Sequence, residues 1–246
     1  MKNYNPHIIN HSAIGEGVDQ GLRSYMLKVY GYMSFGLVVT ALLAFAVTQI
    51  PALQNLLFVI NAQGHVAASG FAIMLLFAQI GLVLWLSMRI SQMDASTAQL
   101  IFWSYAALTG LSLSPICYVY TGASITRVFS ITACTFGAMS LYGYTTKKDL
   151  SSFASFLFMG LIGIILASVV NIWLKSTMVE FVVSAVGVLV FTGLTAYDTQ
   201  RIKEIYWEQD TTEVHSKKAI MGALALYLDF INLFLMLLRF FGNRRS

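Results

Sequence analysis

Apolar runs about as long as a bilayer is thick recur along this chain, and no other feature constrains its fold as strongly. They cover residues 29–50, 67–87, 98–119, 124–144, 151–173, 178–198 and 219–240. A helix needs about 20 apolar residues to cross hydrocarbon, and a segment in lipid must satisfy its own backbone hydrogen bonds. Each run is therefore expected to be a transmembrane helix, and the protein an all-α membrane protein of seven spans. A mean hydropathy of +0.71 with only 11% charged residues agrees, because the hydrated surface of a 246-residue soluble protein requires more charge. Pro51 with "NAQGH", then "RISQMDAST", "TTKKDL" and "RIKEIYWEQDTTEVHSKK", supply polar connections, and no linker rich in Gly, Ser or Pro divides the chain. The organisation expected is a polar cytoplasmic segment 1–28, one membrane domain 29–242 and a short basic tail 243–246.

Placing the N-terminus in the cytoplasm puts Lys2, Arg23, Lys28, Arg89, Lys147, Lys148, Arg201, Lys203, Lys217 and Lys218 on that side. Arg127, Lys175, Arg239, Arg244 and Arg245 fall opposite, and ten against five favours N-inside. The three arginines near the C-terminus dissent, so either the tail crosses against the rule or the last helix stops short of the far side. The net charge of +4 is dispersed, with no basic cluster interleaved with aromatics, which argues against nucleic acid as a partner. A polar lead-in precedes the first apolar run, the wrong order for a cleaved signal peptide, so the first span is expected to act as the insertion signal. Cys117 and Cys134 lack CxxC or Cys/His spacing and read as small buried apolar residues. The four histidines fall outside the expected spans without ligand spacing, and no cofactor is expected. Ala106, Gly110 and Ser114, and likewise Ala133 and Gly137, recur every fourth residue, a pattern that allows helix backbones to approach.

Within this apolar background, "ALYLDFINLFLMLLRFF" carries one acid, Asp229. Gly222, Ala225, Asp229, Asn232 and Met236 follow one another at spacings of 3, 4, 3 and 4 and share one small, polar helix face. An ionised acid at a helix centre costs roughly 2.5–3.5 kcal/mol on insertion scales, so Asp229 should point into the bundle and either meet a cation or hold a proton. A neutral aspartate that only hydrogen-bonds its neighbours is the plainer alternative. A second acid, Asp198, closes the sixth span in "GLTAYDTQRIKEIY", where an ordinary interfacial charge is also a fair reading. Consecutive spans are usually neighbours, and two carboxyls in contact cannot both ionise at neutral pH. Such a pair titrates as one unit and forms a proton-operated latch. Depth is the difficulty: a seventh helix starting near Ala219 places Asp229 about 15 Å inside, whereas Asp198 ends its span. Contact requires the sixth helix to tilt or run further than its apolar stretch, or the seventh to be displaced toward the cytoplasm. The latter leaves roughly 20 Å between Asp229 and Gly242, too little to cross about 30 Å of hydrocarbon. Arg89 ends the second span on the same side as Asp198, as a topology anchor or as its partner when that acid is ionised.

At these residues the chain resembles the Bax inhibitor-1 family in its bacterial branch. The likeness is carried by "VDQGLRSYMLKVYGYM", "TKKDLSSFASFLFMGL", "GLTAYDTQRIKEIY" and "LALYLDFINLFLMLLRFFG". It implies seven transmembrane helices, with a central C-terminal helix surrounded by the other six, in the bacterial inner membrane, and a pH-sensitive calcium leak. In similar proteins two hydrogen-bonded aspartates on the last two helices sense pH, and the matching positions are Asp198 and Asp229. Arg89 matches the basic residue that latches the first of these acids. Calcium as the transported ion is expected to meet oxygen ligands such as these two carboxyls. Partners implied are the bilayer, calcium and protons. A second reading is a noncatalytic regulator that binds other membrane proteins, including membrane proteases, with the aspartates serving fold specificity. A third, an intramembrane aspartyl protease, also uses two acids on late helices, but "LYLDF" lacks the GxGD setting and no Pro-Ala-Leu stretch follows.

Overall fold

In a computed structural model of the chain, residues 11–60 and 66–245 are described, and they are overwhelmingly helical. The helices are α1 (His11–Gln49), α2 (Pro51–Leu57), α3 (Gly70–Arg89), α4 (Ala95–Leu113), α5 (Pro115–Val119), α6 (Gly122–Thr145), α7 (Ser151–Leu174), α8 (Thr177–Glu204) and α9 (Thr212–Phe241). Strands β1 (Phe58–Ile60) and β2 (Val66–Ala68) pair antiparallel. Six stretches are long and apolar enough to cross a membrane: Gln20–Gln49, Gly70–Gln92, Ala95–Val119, Ser151–Leu174, Thr177–Glu204 and Thr212–Phe241. The fourth expected span corresponds to α6, whose 24 residues provide the length but not the same apolarity. Several of its hydroxyls are absorbed by its own backbone: Thr126, Ser130 and Thr132 each donate to the carbonyl four residues earlier, at 2.8–3.0 Å. Six apolar spans, not seven, are thus established for the described residues.

Boundaries follow local chemistry more than hydropathy. Helix α1 is already formed at His11, well inside the polar lead-in, and stops before Pro51, whose ring holds Ile50 extended (φ −109°, ψ 105°) and then starts α2. The second span was expected from residue 67, yet α3 starts at Gly70, because Val66–Ala68 pair with β1 and the Ser69 hydroxyl accepts from the Ala72 N–H. The expected separator "NAQGH" (61–65) lies outside the described residues. Pro115, which has no N–H, divides the third run into α4 and α5. The connection after the sixth run, read as long and polar, shrinks to residues 205–211. Helix α8 continues through Arg201 and Lys203 to Glu204, and α9 starts at Thr212 with the Thr211 hydroxyl accepting from the Val214 N–H. Charged side chains end an apolar run without ending a helix, and basic residues at a helix C-terminus favour the macrodipole.

The last helix is the axis of the bundle. In its most apolar window 72% of residues are buried, against 11% in α3 and in α7. Helix α9 packs directly on α1, α4, α6 and α8, whereas α3 leans on α4 and α7 on α8. The central position expected of the last helix therefore holds, but its immediate ring is four helices, with α3 and α7 outside. The Leu, Phe and Tyr side chains opposite Asp229 are buried too: Leu224, Tyr227, Phe234 and Leu238 are at most 8% exposed. A helix apolar all round belongs in the interior. Large apolar groups on the outer helices, such as Phe156 and Trp173, face outward. One end of the bundle gathers the α6–α7 and α8–α9 connections, where Lys203 donates to the Tyr144 carbonyl and Lys28 to the Ser216 hydroxyl. The other gathers the end of α1, the α5–α6 turn and the C-terminus, where Arg244 meets Glu180 at 3.5 Å.

Candidate functional site: a carboxyl pair between the last two helices

Helices α8 and α9 run antiparallel in steady register. Gly187 faces Met236 at one point and Ile202 faces Gly222 at another, so α8 advances as α9 retreats. Gly222 permits the approach, for a methyl added there would lie 3.0 Å from the Ile202 Cγ2. In this register Asp198 and Asp229 fall within about one helical turn of the same level, and their carboxyl groups are near enough to act on each other. The depth problem disappears because α8 runs six residues past Asp198 and α9 begins seven residues before Ala219. No displacement of α9 is needed. Its 30 residues span roughly 45 Å, and Phe240 stacks on Phe181 at the start of α8, 5.0 Å between centroids.

Asp229 is 5% exposed, and its Oδ2 has no hydrogen-bond donor from an N–H or hydroxyl group among the described residues. Two facing carboxyls out of water cannot both ionise at neutral pH, and a proton on one of them would let it donate to the other. The charge acting on Asp198 is that of Arg201, three residues further along α8. Arg89, the expected latch, is elsewhere: its guanidinium donates to Gln92 Oε1 at 2.7 Å, and it forms no ion pair among the described residues. Asn232 spends its amide on the Leu228 carbonyl at 2.8 Å within its own helix. No cluster of three or more His, Cys, Asp or Glu occurs among the described residues, so the two carboxyls are not joined by a further acidic or imidazole ligand.

Two hydroxyl networks beside the pair escape a sequence reading. Tyr30 bonds Ser140 at 2.5 Å, and Ser140 bonds Thr199 at 2.9 Å, a chain from α1 through α6 to the residue next to Asp198. On the far side of α9, Tyr227 bonds Thr40 at 2.6 Å, and Thr40 also donates to the carbonyls of Gly36 and Ala106. Each joins residues more than 50 positions apart, for which helical spacing gives no signal; only the i,i+3 spacing of Asp198 and Arg201 was there to be read. Of the small-residue stripes, Gly110 lies against the Thr40 carbonyl oxygen, which a methyl there would approach to 2.5 Å, whereas Gly137 has nothing within 4 Å. The close approach on α6 is instead at Gly143, against the backbone of Ala196, two residues before Asp198. Of the cysteines, Cys134 is exposed and Cys117 half-buried; a thiol on a lipid-facing surface needs no aqueous burial to be inert.

Residues 22–246 match the family model described as inhibitor of apoptosis-promoting Bax1. The inner membrane protein YbhL of Escherichia coli K12 is 52% identical over 227 residues, covering 92% of this chain and 94% of its own. A protein of Rickettsia prowazekii is 49% identical over 228 residues, 93% of each chain. A membrane protein of Streptococcus pyogenes is 34% identical over 237 residues, 96% of this chain and 99% of its own. With nearly the whole chain matched, and the last two helices packed around a carboxyl pair, this is a membrane protein of the Bax inhibitor-1 family.

Proposed function

We propose that the protein is a passive, proton-gated cation pathway, a calcium leak of the bacterial inner membrane with its N-terminus in the cytoplasm. The observation that carries this reading is the closeness of Asp198 and Asp229 between α8 and α9, with Asp229 Oδ2 buried and without a hydrogen-bond partner among the described residues. When the shared proton leaves, two carboxylates face each other out of water and repel. The α8–α9 interface then has two arrangements whose populations depend on pH, and only such a state-dependent proton affinity lets pH move helices. Arg89 belongs to the second arrangement: leaving Gln92 to pair with an ionised Asp198 requires the end of α3 to swing inward. Freed carboxylate oxygens suit calcium, a hard cation that prefers oxygen ligands. The reading is non-enzymatic and assigns no catalytic residue. The inner-membrane location rests on the name borne by YbhL, and the seven-span topology on α6 crossing with the rest.

The test is calcium flux through purified protein in liposomes as a function of external pH. Asp198→Asn and Asp229→Asn each preserve shape and a hydrogen bond while removing the shared proton, so each should flatten the pH profile. A folded variant with the wild-type profile would remove the latch. Absence of flux from wild-type protein at every pH would leave the regulator of other membrane proteins as the surviving alternative.

A further inference from the structure

Toward the C-terminal end of the bundle, α1, α5, α6 and α9 enclose a cavity of about 570 Å³ whose inner wall reaches Phe230, the neighbour of Asp229 in sequence. Its walls are apolar, with Leu37, Phe129, Phe230 and Phe234 among them, and most of its polar groups, Thr48, Gln49, Thr126 and Arg245, come from the end of α1, the start of α6 and the C-terminus, with Thr40 deeper. It opens sideways: Leu37, Ala41, Phe129 and Phe230 also line a second cavity of about 360 Å³ further along the α1–α6 cleft. Phe45 and Phe129, on the two walls, are 61% and 43% exposed to the surroundings of the bundle. Arg245 is the one charged residue in the lining, and the fold holds it there. Its backbone N–H donates to the Val119 carbonyl at 2.8 Å, Arg244 bridges to Tyr120, and the Asn243 N–H donates to the Ser124 hydroxyl. Arg244 takes Glu180 as its partner, whereas Arg245 has no carboxylate within 4.0 Å among the described residues.

We propose that this cavity is a binding site for an anionic glycerophospholipid, one acyl chain lying between α1 and α6 and the headgroup phosphate meeting the Arg245 guanidinium. An apolar slot that opens laterally is reached from the bilayer, and a guanidinium at its polar end selects a phosphate by charge-assisted hydrogen bonds. A partner helix does not suit it. At 10–12 Å across, a helix would be accommodated in 570 Å³ for only roughly one turn, while a flexible hydrocarbon chain follows the cleft.

Native mass spectrometry of the full chain, released from nanodiscs of mixed phosphatidylglycerol and phosphatidylcholine with and without oleate, tests this site. Wild-type protein should retain phosphatidylglycerol over phosphatidylcholine by about tenfold, and Arg245→Ala should bring the two to parity. Ala41→Phe, at an exposed position of the wall, should abolish retention of both. Gly122→Leu, where an added Cβ meets nothing within 4 Å, repeats the blockage from α6 should the first variant fold poorly. Arg127→Ala, an exposed arginine of α6 outside the lining, should behave as wild type. Equal retention of the two phospholipids by wild type, a preference that survives Arg245→Ala, retention unaffected by both blocking variants, or retention of oleate in place of phospholipid would each overturn the proposal.

Discussion

Two glycines six residues apart on α6 should respond oppositely to the same added methyl. At Gly143 it would sit 2.9 Å from the carbonyl carbon and 3.0 Å from the Cα of Ala196, and closer still to the carbonyl oxygen. Ordinary contact there is nearer 3.5 Å, and the obstacle is backbone that cannot rotate away, so α6 and α8 must separate by about 1 Å. Such overpacking costs about 1–3 kcal/mol. One turn away, the Ser140–Thr199 bond of 2.9 Å would stretch past bonding distance, adding about 0.5–1.5 kcal/mol. Gly143→Ala is thus expected to lose about 2–4 kcal/mol, while Gly137→Ala, with nothing within 4 Å, should be neutral or gain up to about 1 kcal/mol from helix propensity. Reversible unfolding in mixed micelles measures both. A double-mutant cycle of Gly143→Ala with Thr199→Val separates the hydrogen-bond share, because Thr199→Val should cost less in the Gly143→Ala background. Equal stabilities for the two alanine variants would mean that α6 and α8 do not touch beside Asp198.

Gln200 holds the α6–α7 turn on α8, accepting from the Leu150 N–H and donating to the Lys148 carbonyl, each at 2.8 Å. Gln200→Leu strands both backbone groups and should cost about 2–4 kcal/mol, read as earlier unfolding and faster proteolysis at residues 147–150. In the same turn, the Ser151 N–H donates to Asp149 and draws its carboxyl below the ordinary 3.8. The folded-state value is depressed, so this stabilisation is present above the unfolded value and is lost as pH falls through the folded one. An NMR titration of Asp149 should show the low midpoint in the folded protein, and unfolding in denaturant should return it upward.

Hydrocarbon makes a strong filter on secondary structure, which is why so much of the helical layout was legible. The interruption at Pro51 showed, whereas the one at Pro115, inside the run 98–119, and the one at β1–β2, whose cause is pairing, were missed. Hydropathy misplaced the ends of α8 and α9 because it reports the limits of apolar side chains, and a helix continues past them into charged sequence. It also gave α6 the standing of its neighbours, although self-bonded hydroxyls make that helix less apolar. Asp229 was conspicuous as a lone acid in an apolar run. Its partner's reach was not, since the contact depends on a register fixed by Gly187, Gly222 and the side chains opposite them.

By itself the sequence determined that this chain builds apolar helices and carries an acid among them, because each follows from what a bilayer accepts along a single segment. Tertiary structure alone decided which helices touch α9, that α3 and α7 stand outside, and that Gly143 and not Gly137 is the close approach. It also set Arg245 at the mouth of a cavity formed by four helices. Those outcomes depend on side-chain shapes meeting across elements distant in the chain, and local periodicity contains no term for the partner.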